Sequence, residues 1–159
     1  MMKKQFATIT LCFALILLTC TPVVYAAKET ATVREATTVT YLDNGFYLVT
    51  TLRAYVSPAA PAGAVTQVSG SKTIELYSDI NIKLCSLTVE GTFSFDGRSS
   101  KALSASYSHA TYSVVWSFAG GDAYCEGNTA YATGTFERFG IQPTTLSVSL
   151  SCSADGVLS

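Results

Sequence analysis

Thr145-Leu146-Ser147-Val148-Ser149-Leu150-Ser151-Cys152 decides the fold class. Leu146, Val148, Leu150 and Cys152 occupy every second position, and each residue between them is a serine. Side chains alternate across a β-strand, so this spacing gives one apolar face and one hydroxyl face. A strand with one buried and one wetted face belongs in an antiparallel sheet.

The same period recurs upstream. Residues 37–42 and 46–56 read as two strands joined by Asp43-Asn44-Gly45, a turn whose Asn and Gly tolerate positive φ. Phe46, Leu48, Leu52 and Ala54 share one face of the second strand, and Tyr47, Val49, Arg53 and Tyr55 the other. Residues 57–63 carry two prolines and read as a loop. Ser69-Gly70-Ser71 reads as a break, followed by a short strand over 72–77. Residues 82–95 form a long strand whose apolar phase slips near Cys85-Ser86, which predicts a bulge. Asp96-Gly97 predicts a hairpin turn into residues 99–107. Tyr112, Val114, Trp116 and Phe118 alternate as a strand, Gly120-Gly121-Asp122 reads as a turn, residues 129–137 alternate again, and Pro143 marks a loop.

No stretch has convincing helical periodicity. Seven or eight short strands, each with one wet face, must cover one another. The expectation is an all-β antiparallel sandwich, immunoglobulin-like in outline, with a small antiparallel β-barrel as the alternative. Trp116 lies too far beyond Cys85, and Leu150 stands where a tyrosine corner would be, so a true immunoglobulin domain is not expected.

The start of the chain reads as an address. Lys3 and Lys4 precede the apolar run Ile9 to Leu18, and Val24-Tyr25-Ala26 follows. That is the pattern of a secretory signal peptide over residues 1–26, cleaved after Ala26, with a core too short to span a bilayer. Residues 27–36 read as a flexible lead-in and 37–159 as one domain. Leu17-Leu18-Thr19-Cys20 gives a competing reading, lipid anchoring through Cys20, although Thr19 is a poor residue for such a box. The expected location is extracellular.

Removing Lys3 and Lys4 leaves eight basic against eleven acidic side chains, a formal net charge of −3. The charges are scattered singly. Nucleic acid is not an expected partner, and neither is a membrane after signal cleavage.

Three cysteines remain in the domain: Cys85, Cys125 and Cys152. An odd number permits one internal bridge and leaves one thiol, and loop entropy does not choose the pair. His109 is the single histidine, and no Gly-x-Ser-x-Gly nucleophile elbow accompanies it. The cysteines are too far apart for a zinc site, and Asp43-Asn44-Gly45 is too sparse for calcium. Glu75, Glu90 and Glu137 fall on outward phases, where solvated charges belong. No cofactor and no catalytic or metal residue is expected. Tyr47, Val49 and Tyr55 form the candidate binding strip, suited to a protein or a glycan.

Several pieces together carry a resemblance: Thr38-Val39-Thr40-Tyr41 with Asp43-x-Gly45-x-Tyr47; Val89-x-Gly91-Thr92-Phe93-x-Phe95-x-Gly97; Tyr112-x-x-x-Trp116; and the terminal Leu150-Ser151-Cys152-Ser153-Ala154-Asp155-Gly156-Val157-Leu158-Ser159. In that order they resemble small uncharacterised secreted proteins of Gram-positive, Clostridia-type bacteria. The resemblance implies no known activity. It implies a cysteine at the place of Ala102 matched to Cys152, and this chain lacks it. That departure favours a Cys85–Cys125 disulfide with Cys152 as a buried thiol, with Cys85–Cys152 as the alternative. The expected role is a non-enzymatic extracellular interaction or structural module. A secreted hydrolase-type enzyme or a small effector or inhibitor is the alternative.

Overall fold

The computed structural model describes residues 32–56 and 65–159. The expected signal peptide, Cys20, Ala26, the first part of the lead-in and the loop over 57–63 lie outside the described residues. Eight strands follow in order: β1 (Thr32–Tyr41), β2 (Tyr47–Val56), β3 (Thr66–Tyr77), β4 (Lys83–Phe95), β5 (Ser100–Thr111), β6 (Trp116–Glu126), β7 (Thr129–Arg138) and β8 (Ile141–Ser151).

They form two antiparallel sheets, β1-β2-β3-β4-β5 and β6-β7-β8. The sheets do not close into a barrel, so the architecture is a sandwich. Each sheet is a meander of successive hairpins, so the likeness to an immunoglobulin domain stops at the two layers. The smaller sheet covers one part of the larger: β8 packs on β3 and β4, β7 on β4 and β5, and β6 on β5. β1 and β2 extend past it.

The core sits where the layers overlap. Leu87, Val89 and Phe93 of β4 meet Ala130 and Phe136 of β7 and Leu150 of β8, all fully buried. The period-2 residues of β8 (Leu146, Val148, Leu150) and the following Cys152 are all buried, as their spacing predicts. Small residues let the sheets approach. A Cβ on Gly134 would stand 3.0 Å from Leu87 Cδ1, and one on Gly91 would stand 3.1 Å from the Ala130 Cβ. The tail returns to the core as well: Cys152 bridges Leu158, whose methyl lies where a Gly70 side chain would be.

Several local expectations change. β1 begins at Thr32, so the lead-in is shorter than its composition suggests; it pairs with β2 from Thr32↔Val56 to Tyr41↔Tyr47. Ser69-Gly70-Ser71 is no break but the interior of β3, where Gly70 makes room for Leu158 and the Arg53 carbonyl. Gly120-Gly121-Asp122 lies inside β6, and a Cβ on Gly121 would meet the Thr133 carbonyl oxygen at 2.5 Å. Those glycines serve close approach and a register shift between Phe118 and Gly120; the chain turns instead between β6 and β7, at Gly127 (φ 57°) and Asn128. Pro143 sits within β8, an edge strand that tolerates a missing donor. Val114 is fully exposed in the turn before β6 rather than in a strand. The bulge in β4 falls at Leu84, one residue before the predicted slip, because Leu76 pairs with Cys85 while Tyr77 pairs with Lys83.

The expected disulfide is absent. Cys85, Cys125 and Cys152 are all free thiols. From Cys85 to Phe93 is eight residues of β4, about 26 Å at ~3.3 Å per residue. Phe93 pairs with Ala102, whose amide donates to the Gly127 carbonyl beside Cys125. Cys152 donates to the Asn128 carbonyl at that same end. Cys85 is therefore a sandwich length away from both, and a disulfide holds its Cα atoms within roughly 7 Å. Cys125 and Cys152 are kept apart by the intervening β7.

Candidate functional site

The outer face of the larger sheet carries an aromatic ladder. Register places Tyr41 opposite Tyr47 and Tyr47 opposite Tyr77 on three adjacent strands. Cross-strand neighbours on one face stand within side-chain contact. The Tyr47 and Tyr77 rings stack at 5.0 Å with planes 8° apart, and Tyr41 tilts onto Tyr47 at 5.7 Å. The Tyr47 hydroxyl donates to Asn81 Oδ1 at 3.2 Å. Asn81 holds a positive φ of 62° in the turn between β3 and β4, a conformation that Asn tolerates.

The ladder continues as a charged cluster. Tyr77 donates to Glu75 Oε2 at 3.1 Å, and Lys83 forms an ion pair with the other carboxylate oxygen. The Lys83 ammonium also stands 4.4 Å from the centre of the Tyr112 ring. The Leu84 bulge makes this possible by turning Lys83 onto the outer face opposite Tyr77. Burial and the hydrogen bond to Glu75 push the Tyr77 hydroxyl above its ordinary value. Desolvation pulls Lys83 down, but its bonds to Glu75 and Tyr112 outweigh that and leave it raised. Beyond this cluster the face turns polar, with Thr37, Thr51, Thr73, Thr88 and Ser108 in one cross-strand row.

The candidate strip is only partly assembled. Tyr47 and Val49 lie side by side on the outer face of β2, with Val49 between Val39 and Glu75. Tyr55 is about 26 Å further along the strand at ~3.3 Å per residue, separated by Thr51 and Arg53. Sequence reasoning missed Tyr41, Lys83 and Tyr112 as members of the ladder. Their signal was register, which requires knowing that β3 pairs with β2 and that β4 carries its bulge at Leu84.

A second feature lies at one end of the sandwich. Leu42 and Phe46 of the β1–β2 turn, Leu76 of β3, and Trp116, Arg138 and Pro143 of the smaller sheet line a cleft of about 280 Å³. Trp116 is 7% exposed, and its Nε1, shielded from solvent, has no hydrogen-bond partner. At the opposite end, Cys125 opens onto a shallow hollow with Arg98 and Lys101. His109 is exposed and stacks on Phe118 with ring centres 3.5 Å apart. Among the described residues, no group of three His, Cys, Asp or Glu side chains stands close enough to hold a metal ion. No helix among them is long and apolar enough to cross a membrane.

Compared with protein-family models, with curated proteins and with solved structures, the chain matches none.

Proposed function

We propose that this protein is a secreted, non-enzymatic binding module that meets an extracellular protein through the outer face of its larger sheet. The supporting observation is the Tyr41–Tyr47–Tyr77 ladder with its Glu75–Lys83–Tyr112 extension. These rings do nothing for the core, which lies on the opposite face of the same strands. Tyrosines held by stacking, a hydroxyl bond and an ion pair lose little freedom when a partner docks. Stacking covers one face each of Tyr47 and Tyr77, and Tyr41 tilts onto Tyr47 from the neighbouring strand, so the two inner rings present mainly their edges. That suits a protein surface better than the flat stacking a sugar ring requires. Secretion is supported by the Lys3-Lys4 start, the apolar run to Leu18 and the Val24-Tyr25-Ala26 boundary.

The test compares the wild type with a Tyr47→Ala/Tyr77→Ala double variant against fractionated extracellular proteins and a glycan array. The expected result is saturable binding to a defined protein that the double variant loses while its circular dichroism is unchanged. Binding to glycans alone, binding that survives in the double variant, or substrate turnover would each overturn the proposal.

A further inference from the structure

We infer that the cleft at the Trp116 end of the sandwich binds a small organic carboxylate with an apolar body. Three observations meet there, and none uses the outer tyrosine face.

The first is an orphaned donor. Buried polar groups nearly always have a partner, and an exception calls for a physical explanation. The Trp116 Nε1–H is shielded from solvent and donates to nothing among the described residues. An indole N–H can only donate, so its missing partner is an acceptor, and because Nε1 is closed to solvent that acceptor reaches it only by displacing a neighbouring side chain of the cleft wall.

The second is a cation without an ion-pair partner among the described residues. Arg138 stands directly opposite Trp116 in the β6–β7 ladder, so the two side chains share one face. Arg138 is half-buried, and no carboxylate of the described residues pairs with it. No Asp or Glu lines the cleft. An acceptor that also carries negative charge satisfies both groups, and a carboxylate matches the guanidinium fork.

The third is shape. Leu42, Phe46, Leu76 and Pro143 supply apolar walls, and the amides of Asn44 and Gln142 stand at the exposed rim. Mostly apolar walls with a few converging polar groups are the usual composition of a small-molecule site. A cavity of roughly 150 Å³ holds benzene, so about 280 Å³ takes an aromatic or branched acid of phenylpropionate size.

The chain contains one tryptophan, so every indole signal reports on this cleft. The full chain is titrated with 3-phenylpropionate and with 3-phenylpropionamide, following the single indole N–H resonance and the tryptophan fluorescence. The expected result is a saturable indole shift with the acid bound about tenfold more tightly than the amide, near 1.4 kcal/mol. Arg138→Gln, checked for an unchanged fold by circular dichroism, removes that preference, and Arg138→Lys restores part of it. A peptide ending in a free phenylalanine carboxylate distinguishes a chain terminus from a free acid, and saturable binding of either supports the site. Equal binding of acid and amide overturns the inference. So does an indole resonance unmoved by millimolar acid, or one that shows only a bound-water contact.

Discussion

The Tyr47 ring lies nearly parallel to that of Tyr77 across the β2–β3 ladder, with the ring centres 5.0 Å apart. An aromatic pair of this kind contributes about 0.5–1.5 kcal/mol beyond its buried area. Tyr47→Ala loses the stack, the contact with Tyr41 and the bond to Asn81, and is expected to cost about 1–2 kcal/mol in urea denaturation. Tyr47→Phe keeps both ring contacts and loses only the hydroxyl bond, so its expected cost is about 0.5 kcal/mol. Equal losses in the two variants would show that the rings contribute nothing.

Stability is expected to fall on the alkaline side. Burial pushes the Cys85 thiol from 9.0 up to about 12. Tyr77 and Lys83 are also raised from 10.0 and 10.5. In each case the folded protein holds its proton more tightly than the unfolded chain. The contribution is therefore complete below the ordinary value and lost as pH rises through the folded one. Thermal melting should decline from about pH 9 upward. Cys85→Ala should flatten the first part of that decline. Glu75→Gln replaces the charged acceptor of the Tyr77 hydroxyl with a neutral amide oxygen and so removes the charge that disfavours tyrosinate; ultraviolet titration should show tyrosinate appearing at lower pH. A melting temperature unchanged between neutral pH and pH 11 contradicts this account.

Thiol reactivity should sort by burial. Cys125 is exposed, while Cys85 and Cys152 are buried. Iodoacetamide should label Cys125 in the native protein and the other two only after unfolding. Desolvation, which raises both buried thiols, slows them further. Tryptic mapping without reductant that finds a peptide joining Cys85 to Cys125 would contradict the placement of these residues at opposite ends.

Two glycines separate backbone strain from crowding. Gly97 (φ 82°) and Gly156 (φ 78°) both adopt a left-handed conformation. A Cβ on Gly97 meets nothing within 4 Å, whereas one on Gly156 would stand 2.4 Å from the Phe95 ring. Gly97→Ala is expected to cost about 1 kcal/mol through φ alone. Gly156→Ala adds overpacking and should cost about 2–5 kcal/mol. Chemical denaturation of both variants reads the difference, and equal costs would mean that the tail does not pack on Phe95.

The strands and their faces were legible because period 2 is a local property. Leu146, Val148 and Leu150 announce their burial wherever their partners are, and Asp43-Asn44-Gly45 specifies its hairpin within three residues. What was not legible depends on residues distant in sequence. Gly70 and Gly121 resemble turn glycines until Leu158 and the Thr133 carbonyl are seen above them. The same holds for the site. Tyr47 was visible as an outward aromatic, but Tyr41 and Tyr77 join it only through register. The Cys85–Cys125 pairing, which came from the resemblance and its missing cysteine at Ala102, failed because neither that departure nor spacing along the chain says which end of a strand a residue occupies.

The uneven sheets make a last prediction about local opening. Among the described residues β1 pairs with β2 alone; it extends past the smaller sheet and has every described side chain exposed. β4 pairs on both sides and carries the fully buried Leu87, Val89 and Phe93. Local opening requires little where few apolar contacts break, and approaches global unfolding where the core must open. Amides of β1 are therefore expected to exchange with deuterium long before those of β4, with β2 between them. The exposed Arg34 and Glu35 keep this edge strand from recruiting another edge. Replacing both with valine should leave the β4 exchange rates unchanged but produce concentration-dependent association in sedimentation velocity. Protection of β1 equal to that of β4 in the wild type would show that something covers this hairpin in solution.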